Sequence, residues 1–244
     1  MTPGVIAVLF CGALAGGIVN GLTGFGTGLT ALGLWLYVMD PITAASVVII
    51  CSIVSQVQNL GLIWRAIEWD RVLPFIIPGL VGVPLGTLIL PHIEPRFFKI
   101  GVGVFLVAYS TYVLTRKTTL SWAWGGRFAD SITGFCGGIF GGIAGLSGAL
   151  VVVWADIRGW TKWQRRTVIQ TFNIAILTLA LASHAVAGLL TRQVWTSAVL
   201  ALPGTIGGAA LGAFIYRRLA DRAYQRIIIM LLLLSGLILV WSSI

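Results

Sequence analysis

The sequence has few charged residues. Asp, Glu, Lys and Arg make up only 9% of its 244 residues, whereas a soluble domain carries about 25%. Hydrophobic residues make up 58% of the chain, and the mean hydropathy is +0.99. No water-soluble fold of this length buries so much apolar chain, so we predict several membrane spans of about 20 residues each. The 16 Lys and Arg lie almost wholly between the apolar runs, as the positive-inside rule expects, so the net charge of +9 does not indicate nucleic-acid binding.

Motifs of enzymes and metal sites are also missing. Cys11, Cys51 and Cys136 lie far apart inside apolar runs, without metal-ligand or redox spacing. The chain has no Walker motif and no nucleophile with a matching base. No apolar run carries a charged residue near its centre, which leaves no obvious carboxylate for ion coupling. We therefore expect neither an ATP-driven pump nor an enzyme, and no cofactor or metal.

Long apolar runs separated by short polar breaks fill the chain. Their lengths predict helices, because only helices and closed barrels satisfy the backbone in lipid, and the short alternating strands of a barrel do not occur. The eight runs are approximately 4–38, 42–64, 72–91, 97–114, 129–155, 167–190, 194–216 and 223–243.

A glycine-rich signature occurs twice. Residues 16–28 (GGIVNGLTGFGTG) and residues 137–148 (GGIFGGIAGLSG) superpose on a shift of 121 residues, half the length of the chain. Pro78-Gly79 in the third run likewise corresponds to Pro203-Gly204 in the seventh. We predict one all-α polytopic membrane domain built from two repeats of about four hydrophobic segments, residues 1–117 and 128–244, with a linker at 118–127.

The distribution of basic residues favours a first run that is broken or re-entrant in each repeat. If every run crosses the membrane once, the 16 Lys and Arg divide 10 to 6 between its sides, but re-entrant first runs give 13 to 3. That arrangement inverts the two repeats, gives eight to ten membrane segments and leaves the termini on the non-cytoplasmic side. It places the turns near residues 22–26 and 144–147, close to the bilayer midplane. Eight simple spans remain the alternative.

The two glycine breaks are the strongest candidates for a binding site. A helix that begins at each break would direct unpaired N–H groups and a positive dipole end at the turn. Two such ends facing each other would form an anion site without a buried cation. Close helix packing by glycine alone is the alternative. The candidates are Asn20, Thr23, Gly24, Phe25, Gly26, Thr27, Gly145, Leu146, Ser147 and Gly148.

Polar side chains in the second and sixth runs form a further group. Gln56 and Asn59 are three residues apart, as are Gln170 and Asn173, so each pair shares a helix face. Neutral amides suit an oxyanion that must bind and leave, and interhelical hydrogen bonding is the alternative. We interpret His184 first as a structural histidine and second as a proton relay.

The densest basic cluster follows the fifth run and comprises Arg158, Lys162, Arg165 and Arg166. We interpret it first as positive-inside anchoring. The alternative is an electropositive mouth that gathers anions.

The order of these motifs resembles a known family. Two copies of a glycine-rich first helix, each followed by a polar helix and then a Pro-Gly helix, are similar to the sulfite exporter TauE/SafE family, also called the 4-toluene sulfonate uptake permease family. The resemblance implies a multi-pass carrier in the bacterial inner membrane for small sulfur-containing anions such as sulfite, sulfonates or sulfoacetate. It implies passive or proton-linked transport without ATP.

The alternatives are an anion channel, a carrier of another small anion such as a carboxylate, and a non-transporting assembly protein. The expected partners are the anion and the lipid bilayer, with a homodimer as an option and no nucleic acid.

Overall fold

The computed structural model describes residues 2–61, 64–115 and 126–216, with isolated positions 233, 237 and 241. These residues are helical and contain no strand, as predicted. Most of the linker at 118–127 and of the eighth run lies outside the described residues. The helices are α1 Pro3–Thr23, α2 Thr27–Trp35, α3 Pro41–Leu60, α4 Trp69–Ile89, α5 Pro95–Thr115, α6 Gly126–Ala144, α7 Ser147–Ile157, α8 Lys162–Val186 and α9 Arg192–Tyr216, with 3-10 turns at Trp64–Ala66 and Leu90–His92.

Several of these helices have the length and composition of membrane spans, which supports a multi-pass membrane protein. Within the described ranges five qualify: Pro3–Thr23, Pro41–Leu60, Trp69–His92, Trp163–Val186 and Arg192–Ile215. Local sequence explains where they begin. Asp40 caps α3, since its carboxylate accepts a hydrogen bond from the N–H of Thr43 at 2.9 Å. Thr161 and Gln164 form a capping box at the start of α8.

The first and fifth runs are each broken into two antiparallel helices. The backbone of Gly24 and Gly26 has φ values of 81° and 101°, and that of Gly145 has a φ of 68°. Side chains disfavour this left-handed region, so glycine allows the helix to stop and turn there. α2 then returns along α1, because the indole N–H of Trp35 donates to the carbonyl of Leu9 at 3.2 Å. The prediction that both glycine signatures interrupt a helix is therefore correct.

The base of the second hairpin contains a buried carboxylate. Asp130, only 4% exposed, accepts a hydrogen bond from the indole N–H of Trp154 at 2.6 Å. An Nη of Arg158 lies 3.6 Å from the other carboxylate oxygen. A tryptophan thus closes each hairpin at its base, with a backbone carbonyl as acceptor in the first and a carboxylate in the second.

Two helix pairs are in direct backbone contact: α1 with α9, and α4 with α6. A Cβ built on Gly17 of α1 would lie 2.5 Å from the carbonyl oxygen of Thr205 in α9. In the second pair, a Cβ on Gly138 of α6 would overlap the backbone of Gly79 in α4. Only glycine permits this approach, so these glycines serve helix packing. We call these two contacts the glycine seams.

Candidate functional site

The amino ends of α2 and α7 meet between the two halves of the chain. Gly28, in the first turn of α2, lies so close to the second break that a Cβ on it would be 3.1 Å from the carbonyl oxygen of Gly145. The first N–H groups of a helix have no carbonyl partner within that helix, and they carry the positive end of its dipole. The fold therefore directs two positive helix ends at one place.

A cavity lies between these two helix ends. It is narrow, with room for about one water molecule, and it is partly open to solvent. Nine of the fourteen predicted binding residues line it: Asn20, Phe25, Gly26, Gln56, Gly145, Leu146, Ser147, Gly148 and Asn173. The structure thus brings together both glycine breaks and one amide from each of α3 and α8.

Three of the predicted residues at the first break do not line the cavity. The hydroxyl of Thr23 stays within its own turn, 2.8 Å from the carbonyl oxygen of Val19. Gly24 terminates α1. Thr27 lies behind Asn20, whose amide Nδ2 donates to the threonine hydroxyl at 3.0 Å. These residues shape the break, and Thr27 orients a side chain that lines the cavity.

Two of the predicted amides also lie outside the cavity. Asn59 donates back to the carbonyl of Ser55 in its own helix at 2.9 Å. Gln170 packs against Gly24 and accepts a hydrogen bond of 3.4 Å from Nε of Arg166. Both hydrogen bonds stay within a single helix, α3 for Asn59 and α8 for Gln170, so they are not the interhelical bonds of the alternative interpretation.

The cavity also contains residues that the sequence analysis did not select. Gly28, Leu29, Ala149 and Leu177 line it together with Ser52 of α3, which is 3% exposed. A signal for Ser52 was present in the sequence, because the shift of 121 residues that superposes the glycine breaks also pairs Ser52 with Asn173. The same shift pairs Gln56 of α3 with Leu177 of α8. At this position the α3 side of the cavity is therefore polar and the α8 side is apolar.

Hydrogen bonds fix some of the polar groups around the cavity and leave others available. Ser147 donates to Oδ1 of Asn173 at 2.8 Å, and Nε2 of Gln56 donates to the carbonyl of Gly24 at 2.9 Å. Within the described part of the chain, Oδ1 of Asn20 and Oε1 of Gln56 have no hydrogen-bond partner, although each residue is only 1% exposed. Buried polar atoms are rarely left unpaired, and an amide oxygen only accepts hydrogen bonds, so these two oxygens point to a bound donor such as water and not to direct contact with an oxyanion.

The burial of Arg166 differs from the sequence analysis, which interpreted this residue as part of a basic cluster that anchors the chain or gathers anions. The side chain is neither an exposed anchor nor part of an open mouth, because it is only 4% exposed. Its Nη2 donates to the carbonyl of Gly21, at the end of α1, at 3.3 Å. Arg166 is therefore a buried cation close to the first glycine break. Arg166 does not itself line the cavity.

His184 lies in α8 away from the cavity and is fully buried. Its Nε2 donates to the carbonyl of Gly142 at 2.8 Å, since a carbonyl can only accept. Its Nδ1 lies 2.9 Å from the hydroxyl of Ser46 in α3. Both ring nitrogens thus join neighbouring helices, which matches the structural interpretation of this histidine.

The chemistry available in the cavity is binding. Its described lining has no Asp, Glu, Lys, Arg, His or Cys side chain, so it offers neither an acid–base pair nor a nucleophile with a base. Over the described ranges, no group of three or more His, Cys, Asp or Glu residues is placed to hold a metal ion. Helix N–H groups, hydroxyls and amides remain, and these groups bind oxyanions.

Comparison with known proteins identifies the family. No curated protein and no solved structure gives a significant match. The model of the sulfite exporter TauE/SafE family matches residues 8–239, nearly the whole chain. With that coverage, the chain belongs to the sulfite exporter TauE/SafE family.

Proposed function

We propose that this chain carries small sulfur oxyanions, such as sulfite and sulfoacetate, across the bacterial inner membrane by alternating access. Family membership implies a membrane transporter of sulfur anions. To that we add the binding place, the cavity between the amino ends of α2 and α7. The termini would lie on the non-cytoplasmic side, because that orientation leaves most Lys and Arg on the cytoplasmic side.

One observation carries the proposal: two helix amino ends line a single cavity whose described lining has no charged side chain. Each amino end supplies about half a positive charge, so the pair offers an anion about one unit of positive charge. Backbone N–H groups within the lining are fixed in direction and cannot be withdrawn by a side-chain rotation. A fixed but partial charge holds an oxyanion without the strong ion pair that would oppose its release.

Reciprocal packing supports two inverted repeats, residues 1–117 and 128–244. α1 of the first repeat packs on α9 of the second, and α6 of the second packs on α4 of the first. The equivalent helices thus exchange roles, which is the relation that a pseudo-two-fold axis in the membrane plane produces. With two hairpins and the eighth run included, such an arrangement has eight to ten membrane segments.

Transport in proteoliposomes tests the function directly. We expect saturable uptake of labelled sulfite or sulfoacetate that unlabelled sulfite inhibits and chloride does not. Empty liposomes are the control. Absence of saturable flux for every sulfur oxyanion would contradict the proposal, and fast flux that never saturates would instead indicate a channel.

Removing single hydroxyls tests the binding place. Ser147→Val removes a hydroxyl from the cavity lining, and Thr27→Val removes the acceptor that orients Asn20. Each variant is expected to bind sulfite about tenfold more weakly by calorimetry, which corresponds to one lost hydrogen bond of about 1.4 kcal/mol. The matched control is Thr196→Val, an exposed threonine of α9. Unchanged affinity in both cavity variants would place the site elsewhere.

A further inference from the structure

Two buried amide oxygens beside the first break accept hydrogen bonds and lack a donor. Nε2 of Gln56 donates to the carbonyl of Gly24 at 2.9 Å, and because a carbonyl can only accept, the remaining end of this amide is Oε1. Nδ2 of Asn20 donates to the hydroxyl of Thr27 at 3.0 Å, which leaves Oδ1. Among the residues that the structure describes, neither oxygen has a partner, although Asn20 and Gln56 line the cavity and are each 1% exposed. The first break therefore presents acceptors to the cavity.

The side chains at the second break present a donor instead. The hydroxyl of Ser147 donates to Oδ1 of Asn173 at 2.8 Å, so the part of this amide that remains to interact is the donor Nδ2. Nδ2 lies beside the first turn of α7, since a Cβ built on Gly148 would be 2.7 Å from it. The N–H groups of a first helical turn are donors as well. Ser147, Gly148 and Asn173 all line the cavity.

This difference between the two sides follows from the sequences of the two halves. The shift of 121 residues pairs Asn20 with Gly141 and Gln56 with Leu177, and neither counterpart has a side-chain acceptor. In the described lining, unpaired amide oxygens therefore occur only beside the first break. A ligand that fits both sides has negatively charged oxygens for the donors and a hydrogen of its own for the acceptors.

Hydrogensulfite has both of these features, whereas sulfite has only one. The oxygens of sulfite are all acceptors, so an amide oxygen in contact with them would repel the anion. Hydrogensulfite is the same anion with one added proton, and its hydroxyl can donate to an amide oxygen while its other oxygens accept hydrogen bonds from the second break. The two orphan oxygens thus exclude contact only with an anion that has no hydrogen to donate.

The charge and the width of the cavity favour the same ligand. Two helix amino ends supply about one unit of positive charge, which equals the single negative charge of hydrogensulfite. The cavity has room for about one water molecule, so the two hairpin tips must part before any sulfur oxyanion enters. Hydrogensulfite is smaller than any sulfonate and therefore requires less widening.

We propose that the cavity takes sulfite in its protonated form, hydrogensulfite, and that Oε1 of Gln56 is the specificity-determining acceptor of its hydroxyl hydrogen. A water molecule donates to Oδ1 of Asn20. This inference rests on the proposed function and specifies the substrate of that same cavity. No proton passes to the protein, because hydrogensulfite enters and leaves with its own. Transport then moves a proton together with the anion without a carboxylate in the lining.

The test compares hydrogensulfite with methanesulfinate, in which a methyl group replaces the hydroxyl while the charge and the shape are retained. Affinities are measured by calorimetry on the full chain in detergent, slightly below neutral pH, where hydrogensulfite predominates. Hydrogensulfite should bind at least tenfold more tightly, because methanesulfinate leaves a buried acceptor unpaired. Equal affinities would show that water, and not the ligand, satisfies Oε1 of Gln56, and would overturn the inference.

Gln56→Met removes the acceptor at nearly constant side-chain size. This variant is expected to bind hydrogensulfite about tenfold more weakly and methanesulfinate less than threefold more weakly, so the preference is lost. The control is Gln58→Met, which removes an exposed amide of α3 that donates to the carbonyl of Ile206 at 3.5 Å, and it should change neither affinity. Equal weakening of both probes in Gln56→Met would show that Gln56 only holds Gly24 in place, and would overturn the inference.

The dependence on pH needs no variant. Hydrogensulfite loses its proton as the pH rises above neutral, so the apparent affinity for total sulfite should fall about tenfold per pH unit once the unprotonated form predominates. Methanesulfinate keeps its charge in this range, so its affinity reveals any titration of the protein itself, including that of Cys51, Arg166 and His184 on the helices around the cavity. An affinity for total sulfite that stays constant or rises would overturn the inference. Failure of the unmodified protein to bind any sulfur oxyanion would contradict the proposed function itself.

Discussion

Gly208→Ala is expected to lower the free energy of unfolding by about 3 kcal/mol or more, whereas Gly207→Ala leaves it unchanged or raises it slightly. The two glycines are neighbours in α9, and the chemical change is the same. They differ only in what a new methyl group would meet. The pair therefore isolates the packing of the glycine seam from any general effect of substituting glycine in this helix.

The seam leaves no room for a Cβ at position 208. It would overlap the carbonyl oxygen of Leu14 and lie 2.9 Å from the backbone nitrogen of Ile18, both in α1. Backbone atoms of a helix cannot rotate away as a side chain can, so α1 and α9 must separate and lose contacts along their length. At Gly207 nothing lies within 4 Å of the new Cβ, and alanine favours the helix by roughly 0.5–1 kcal/mol.

Thermal unfolding of the full chain in detergent measures the difference. For a chain of this size, a loss of about 3 kcal/mol lowers the midpoint by roughly 6–12 °C. By the same scaling, Gly207→Ala should leave the midpoint unchanged or raise it by up to roughly 4 °C. Two variants with the same midpoint would show that α1 and α9 do not pack as described.

Ser52→Asp is expected to abolish measurable anion transport, while Ser52→Asn retains it. Ser52 lines the cavity and is almost fully buried, so a carboxylate there would lie beside the bound anion. Two like charges about 5 Å apart at an effective dielectric constant of about 20 repel by about 3 kcal/mol, which weakens binding more than a hundredfold. Asparagine has nearly the same shape as aspartate without its charge, so it controls for size.

The measurement is the sulfite flux into proteoliposomes. Each variant is reconstituted separately, in equal amounts. Thermal unfolding of both variants shows whether the aspartate has disrupted the fold instead of the site. If both fold and the aspartate variant transports sulfite as well as the asparagine variant, the anion does not pass Ser52. Because Ser52 lies in α3 and was not among the predicted binding residues, this experiment also tests the cavity independently of the glycine breaks.

The helix breaks were predictable because their cause is local. A left-handed backbone is a property of one residue and favours glycine, so repeated glycines at Gly24 and Gly145 indicate turns without knowledge of the fold. Similarly, Asp40 followed by Pro41 is a start signal that depends only on neighbouring residues. The glycine signals correctly predicted the two hairpins and with them half of the residues that line the cavity.

The partners of the polar side chains were not predictable in the same way. Equating Gln56 with Gln170 implies a shift of 114 residues, seven fewer than the shift that superposes the glycine breaks. Seven residues are about two helical turns, so both alignments place the polar groups on the same helix face. Gln56 and Asn173 line the cavity while Asn59 and Gln170 do not, because the depth of a side chain along the helix depends on how the helices pack.

The burial of Arg166 could not be predicted from the sequence, for a different reason. It belongs to a run of basic residues at the start of α8, where interfacial cations are common. Arg165 and Arg166 are adjacent in sequence, yet one is half-buried and the other points at the carboxyl end of α1. Only the position of a helix more than a hundred residues earlier in the chain distinguishes them.

The glycine seams decide which parts of the molecule can move as units. Each seam joins a helix of the first half to a helix of the second, with backbone against backbone. Helices that interlock in this way cannot slide past each other without a large loss of contact. Under the proposed alternating access, the moving bodies would therefore not be the two sequence halves but two mixed bodies, one carrying α1 with α9 and the other α4 with α6. The division between these bodies would run through the cavity and would not follow the boundary between the two proposed repeats.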